Sequence, residues 1–108
     1  MDKKQSRFFA DDPGIWEQNE SDALHFIVAW NEIVSVGGAK YQSSDQMLTS
    51  VEFDFVYGEV LEIFTDMPGF EQVVTVATEI LPGISSSWLQ SIIALQSPAV
   101  TITVWQRG

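Results

Sequence analysis

The residues of this chain best suited to chemistry lie in one short stretch, "SVEFDFVYGEVLEIFTD" (50–66), where Glu52, Asp54, Glu59, Glu62 and Asp66 occur without a single basic residue among them. Three kinds of chemistry are open to such a set. Two carboxylates facing each other across a groove can act as general acid and base. Several carboxylate oxygens can surround a hard cation such as Ca²⁺ or Mg²⁺. An unneutralised set can also be held ready for a basic partner. The cation reading lacks its spacing, because no D-x-[DN]-x-[DN]-G loop is present, and no metal site is expected. The acid–base reading needs an enclosing groove, which a 108-residue domain with its acids on an exposed sheet face has little room to build.

Other catalytic groups are scarce. The sole histidine, His25, sits within an apolar run, no serine stands in a G-x-S-x-G elbow, and cysteine is absent. Thiolate chemistry, disulfides and Cys-type zinc sites are thereby excluded. "VGGAK" (36–40) lacks the GK[ST] end of a phosphate-binding loop, and no G-x-G-x-x-G occurs, so no cofactor is expected. No catalytic residue is assigned, and the chain is not expected to be an enzyme.

The charge distribution is more informative. Fifteen acids against five bases give a formal charge of −10, which disfavours nucleic acid and anionic membrane and favours basic surfaces. Three of the bases fall in residues 1–7; Asp11 to Asp66 contains twelve acids and only Lys40; Ile80 to Gln106 carries no charge. That uncharged stretch is interrupted by Pro82, Gly83, Ser85 to Ser87, Gln90, Gln96 and Pro98. It therefore contains no apolar run of the ~18 residues that a membrane-spanning helix needs, and reads as core or contact surface. The opening "MDKKQSRFFADDPG" lacks the apolar segment of a signal peptide, so a cytoplasmic location is the expectation.

These residues must be positioned by a fold. With 45% hydrophobic and 12% aromatic residues, the composition supports one α+β domain, residues 11–108, preceded by a flexible arm, residues 1–10. "NESDALHFIVAWNEIVSVGG" predicts a helix from about Ser21 to Val36, with Ser21 as N-cap and Gly37-Gly38 as stop; its β-branched content supports a rival hairpin turning at Asn31-Glu32. Residues 38–50 read as a polar loop that can hold a short strand. "VEFDFVY" and "VLEIF" alternate strictly and predict a hairpin. A three-residue connection, Gly58 to Val60, would pair Tyr57 with Leu61 and Phe55 with Ile63. Phe53, Phe55, Tyr57, Leu61 and Ile63 would then be buried, with Glu52, Asp54, Glu62 and Asp66 on the wet face.

"DMPGFEQVVTVATEILPG" predicts a helix over about Phe70 to Leu81, with Val73, Val76, Ala77 and Ile80 as its apolar stripe. Residues 86–96 fit a third helix or a strand, the helix being favoured, and residues 99–106 alternate as a terminal strand. The expected architecture is a small antiparallel sheet with two or three helices packed on one face.

An acidic, aromatic-rich small domain without a catalytic set has what an inhibitor of a basic enzyme needs: carboxylates to speed encounter and aromatics to anchor the complex. In this respect the composition resembles toxin-neutralising immunity proteins. The leading expectation is a non-catalytic protein that occludes the cationic site of a basic toxin or nuclease. Its contacts would be Glu52, Asp54, Glu59, Glu62 and Asp66, together with Asp11, Asp12 and Trp16. An alternative is a structural or assembly subunit of a phage or accessory complex, associating through the uncharged C-terminal third, which leaves a homo-oligomer possible. A small carboxylate-dependent enzyme ranks third.

Overall fold

The computed structural model describes residues 7–19, 21–96, 98 and 100–108. Within them two antiparallel sheets and two helices surround one core. Strands β1 (Arg7–Ala10), β2 (Gly14–Gln18) and β3 (Leu24–Ala29) form a three-stranded sheet in that order. Strands β4 (Ile33–Ser43), β5 (Gln46–Phe55), β6 (Val60–Phe64) and β7 (Thr101–Gln106) form a second sheet in the order β6-β5-β4-β7. Helices α1 (Phe70–Ile80) and α2 (Trp88–Ile93) connect β6 to β7. This is the expected α+β class, with a second sheet that the sequence reading did not anticipate.

That second sheet comes from the segment expected to be a helix. Residues 24–29 are β3, a single 3-10 turn follows at Trp30–Glu32, and Ile33 opens β4. The supposed N-cap is occupied elsewhere: the side-chain carbonyl of Asn19 accepts from the Ser21 amide (3.0 Å), the Ser21 hydroxyl (2.8 Å) and the Ala23 amide (3.0 Å). This closes the β2–β3 turn, in which Asp22 adopts φ 67°. Phe26, Ile27, Val28, Ile33, Val34 and Val36 then follow their preference for extended structure. The hairpin rival placed a break between two strands at the right residues, but β3 and β4 do not pair, and the chain passes there from one sheet into the other.

Gly37 and Gly38 lie mid-strand in β4, not at a helix end. A Cβ on Gly38 would stand 2.4 Å from the Ser50 carbonyl oxygen and 2.6 Å from Ile92 Cδ1. The bare backbone is what lets α2 pack on the sheet. Residues 38–50, expected to be mainly loop, are the paired ends of β4 and β5, reversed by Ser44-Asp45 with Ser44 at φ 51°.

The predicted hairpin exists with its faces right and its register displaced. Phe53 pairs with Leu61, Val51 with Ile63 and Glu52 with Glu62. The three-residue loop is Val56 to Gly58, closed by the Phe55 amide on the Glu59 carbonyl (2.8 Å) and the Gly58 amide on the Phe55 carbonyl (3.0 Å). Gly58, at φ 93°, is the last loop residue, the left-handed position of such a turn, and not the first. Tyr57 therefore sits in the turn, 51% exposed, instead of in the core.

The inner face of the four-stranded sheet (Val36, Val51, Phe53, Ile63) packs with Val73 and Ala77 of α1, Trp88 and Ile92 of α2, and Phe8, Ile15 and Val28 of the other sheet. Both helices match expectation, although α2 is shorter than residues 86–96. All four indole N–H groups find acceptors: Trp16 on Asp11 Oδ1 (3.0 Å), Trp30 on the Asp11 carbonyl (2.7 Å), Trp88 on Thr78 Oγ1 (2.8 Å) and Trp105 on the Pro82 carbonyl (2.8 Å).

The last four residues of the expected arm are fixed as β1, and residues 1–6 lie outside the described residues. Gln72 exchanges two 2.6 Å hydrogen bonds with the Ala10 backbone, completing the edge of β1 as a neighbouring strand would. The Phe8 amide donates to the Pro68 carbonyl at 3.0 Å. Among the described residues no helix is long and apolar enough to cross a membrane.

Candidate functional site

Alternation along β5 and β6 sends Val51, Phe53 and Ile63 inward, and Glu52, Asp54 and Glu62 onto the opposite, outer face. The pairing makes Glu52 and Glu62 direct cross-strand neighbours. Like charges in that position destabilise a sheet. The Glu52 carboxyl is held above the usual carboxylate range by partial burial, then by the charge of Glu62 and that of Asp54. Asp54 is partly satisfied within the chain, since its Oδ2 accepts from Ser35 Oγ at 2.6 Å.

Tyr41, on β4, joins this face. Its ring meets Phe64 edge-on with centroids 5.8 Å apart, spanning β5. Its phenol is pushed upward, first by the charge of Glu62 and then by burial. Ser50 lies beneath this pair with no exposure; its Oγ and the buried Glu62 Oε2 make no hydrogen bond of ordinary length, although the Tyr41 hydroxyl interacts with both side chains. An unmet buried polar atom costs about 1–3 kcal/mol, and more when charged.

The nearby cations do not neutralise the face. Lys40 Nζ donates to the Ile93 carbonyl at the end of α2 (3.0 Å). Arg107 donates to the carbonyls of Ile33 (3.0 Å) and Trp30 (2.8 Å) and stacks over Trp105. Both are used to hold the fold. Among the described residues no basic side chain bridges to Glu52, Asp54, Glu59, Glu62 or Asp66.

The other residues singled out from sequence are placed apart. Glu59 is exposed beside the β5–β6 turn. Asp66 is exposed in the turn after β6 and lines a cleft of about 450 Å³ with Phe8, Glu17, Leu48, Phe64, Met67 and Pro68. Asp11, Asp12 and Trp16 belong to the three-stranded sheet, where Asp11 ties the β1–β2 turn by accepting from the Gly14 amide (3.3 Å) and the Trp16 indole. Trp16 stacks on Phe9 and meets Phe26 edge-on. His25 is exposed on β3, its Nε2 3.2 Å from Asn19 Nδ2.

Sequence reasoning missed Tyr41, Ser50 and Glu17. The first two lay in the segment taken for a loop, and "AKYQ" alternation extending from Gly37 was the available signal. Among the described residues no group of three or more His, Asp or Glu side chains is arranged to hold a metal ion.

The site makes a pH prediction. A carboxyl raised in the folded state binds its proton more tightly than in the unfolded chain. Its contribution to stability is therefore present at and below the ordinary carboxylate range and is lost as pH rises through the raised value. Glu52→Gln is expected to stabilise the protein near neutral pH by ~0.2–1 kcal/mol, the scale of one cross-strand pair. It should also remove the part of the stability gain on mild acidification that belongs to Glu52. Urea denaturation of both proteins at neutral and mildly acidic pH measures this; a variant less stable than wild type at neutral pH contradicts it.

The chain matches no protein-family model, and no curated protein or solved structure is similar enough to supply a relative.

Proposed function

We propose that the outer face of β5 and β6 is a docking surface for a cationic protein, and that the chain is a non-catalytic inhibitor of immunity-protein type that occludes the basic site of a toxin or nuclease. The observation that carries this reading is the Glu52–Glu62 cross-strand pair. The fold places two carboxylates side by side, gives the buried oxygen of Glu62 no donor beyond the neighbouring Tyr41 hydroxyl, and uses Lys40 and Arg107 elsewhere. A surface kept only for hydration has no need of that juxtaposition, and a cationic partner relieves it. Aromatic rings at its margin, Tyr41 and Phe64, supply anchoring area.

The alternative, assembly through the uncharged C-terminal third, has less surface available than the composition suggests. Trp88, Ile92 and Trp105 are buried, and Ile93 and Val100 are the large apolar residues left exposed there.

The reading is tested with the variant Glu52→Gln/Asp54→Asn/Glu62→Gln. It should fold as well as wild type. Wild-type protein immobilised in an extract of its native cell should capture a basic protein at ~0.05 M salt and release it at ~0.5 M, where screening shortens to a few ångströms. The purified pair should associate more slowly in the triple variant, with dissociation little changed. Capture that is insensitive to both salt and the substitutions would reduce the acidic face to a hydrated surface.

A further inference from the structure

Phe64 belongs to two surfaces. One side of its ring meets Tyr41 on the acidic face, and the residue also walls the cleft formed with Phe8, Leu48, Met67 and Pro68. The cleft is therefore continuous with the proposed docking face. Its charged lining groups are Glu17 of β2 and Asp66 of the turn after β6. Neither carboxylate has a hydrogen bond or ion pair among the described residues.

We propose that this cleft anchors an arginine side chain of the cationic partner, with its guanidinium at Glu17 and Asp66 and its aliphatic stem against the apolar walls. The inference rests on the docking-face reading above and specifies what enters it. About 450 Å³ lies in the range of ligand pockets, roughly 300–1,000 Å³, and accommodates one long side chain with water rather than a folded segment. Both charged groups are acidic, so the occupant is cationic. The walls are apolar, which disfavours a compact, strongly hydrated ammonium and suits the weakly hydrated, planar guanidinium. The acids come from separate elements, and the planar, pre-organised fork of five N–H donors loses less freedom in bonding both than the three rotatable donors of an ammonium on a flexible stem. The methylene stem covers Leu48 and Met67 as such stems cover apolar surface elsewhere. Arginine is among the residues in which binding energy concentrates at interfaces.

The test uses the whole chain, isotope-labelled, titrated with capped Gly-Gly-X-Gly-Gly peptides in which X is arginine, lysine or citrulline. The arginine peptide is expected to shift the methyl signals of Leu48 and Met67 and to bind about tenfold more tightly than the lysine peptide. Glu17→Gln/Asp66→Asn should weaken it about tenfold, with unchanged melting, while Glu52→Gln/Glu62→Gln leaves the Leu48 and Met67 shifts in place. Should the double variant melt early, Asp66→Asn alone, at an exposed turn position, makes the same comparison. Citrulline binding as well as arginine would overturn the proposal by showing a purely apolar slot. Equal arginine and lysine binding with shifts confined to Tyr41, Glu52 and Glu62 would overturn the cleft assignment and leave the acidic-face reading standing. Shifts at neither surface with any basic peptide would overturn both.

Discussion

Truncation of Phe53 to alanine is expected to remove about 3–5 kcal/mol of stability, the cost of deleting a buried aromatic ring. Phe53 has no exposure and pairs with Val36 on one side and Leu61 on the other. It faces the interior where the four-stranded sheet meets both helices and the second sheet, so no single neighbour can move to fill the space without disturbing another element. Against a typical total of about 5–15 kcal/mol, the loss leaves the domain marginal or unfolded at ordinary temperature. Tyr57→Ala is the informative control. Both residues alternate in phase along the same sequence, yet Tyr57 is 51% exposed in the turn and its removal should cost no more than about 0.5 kcal/mol. Urea denaturation midpoints at constant slope measure both changes. Equal losses for the two variants would mean that the strand continues to Tyr57 and that the hairpin turns two residues later.

That contrast shows what the sequence made legible in the fold. Period-two alternation assigns faces, and every face assignment along residues 51–55 and 61–63 holds in the structure. Alternation says nothing about which pair closes the loop, because displacing the turn by two residues preserves every face. What decides between the two registers is the position of Gly58 within the turn, and a glycine fits the left-handed position at the end of a loop as it fits the start. The helix expected from Ser21 to Val36 failed for a different reason. Its apolar spacing fitted a helical stripe, its serine fitted a cap and its glycines fitted a stop, but the serine was engaged in a local turn and Gly38 in packing at long range. Ser21 serves a turn built by Asn19, and Gly38 serves a helix more than fifty residues later in the chain. Partners distant in sequence are invisible to any local reading.

The candidate site was legible to the same extent. Its acids could be named and given a common face from "VEFDF" and "VLEIF". Their cross-strand identity, Glu52 against Glu62, depended on register and could not be read. Nor could the use of the bases: only the packed structure shows that Lys40 and Arg107 are both turned to backbone carbonyls. Asp66 and Glu17 line one cleft because the turn after β6 lies against β1, where the Phe8 amide meets the Pro68 carbonyl. A long-range docking of that kind leaves no pattern in the chain.

Gly38→Val is expected to cost about 3 kcal/mol, the upper end of the usual penalty for overpacking. The glycine has an ordinary backbone conformation, so left-handed strain plays no part. The penalty comes entirely from space: the first added carbon already lies 2.4 Å from the Ser50 carbonyl oxygen, with Ile92 Cδ1 and Cγ2 at 2.6 and 2.9 Å. The isoleucine can give way by turning its buried side chain against its neighbours or by lifting α2, whose Trp88 is buried and tied to Thr78. The carbonyl can give way only by separating β4 from β5. These two routes predict a specific coupling. Ile92→Ala alone should cost about 2–5 kcal/mol by leaving a cavity, but in the Gly38→Val background part of that cost is offset, because the new methyls occupy the space that Ile92 vacates. The double variant should therefore be more stable than the sum of the single losses by about 0.5–3 kcal/mol, the range for residues in contact. Additive losses would mean that the clash with the Ser50 carbonyl dominates and that the strands, not the helix, yield; the loss of backbone amide protection would then appear along β4 and β5 before it appears in α2.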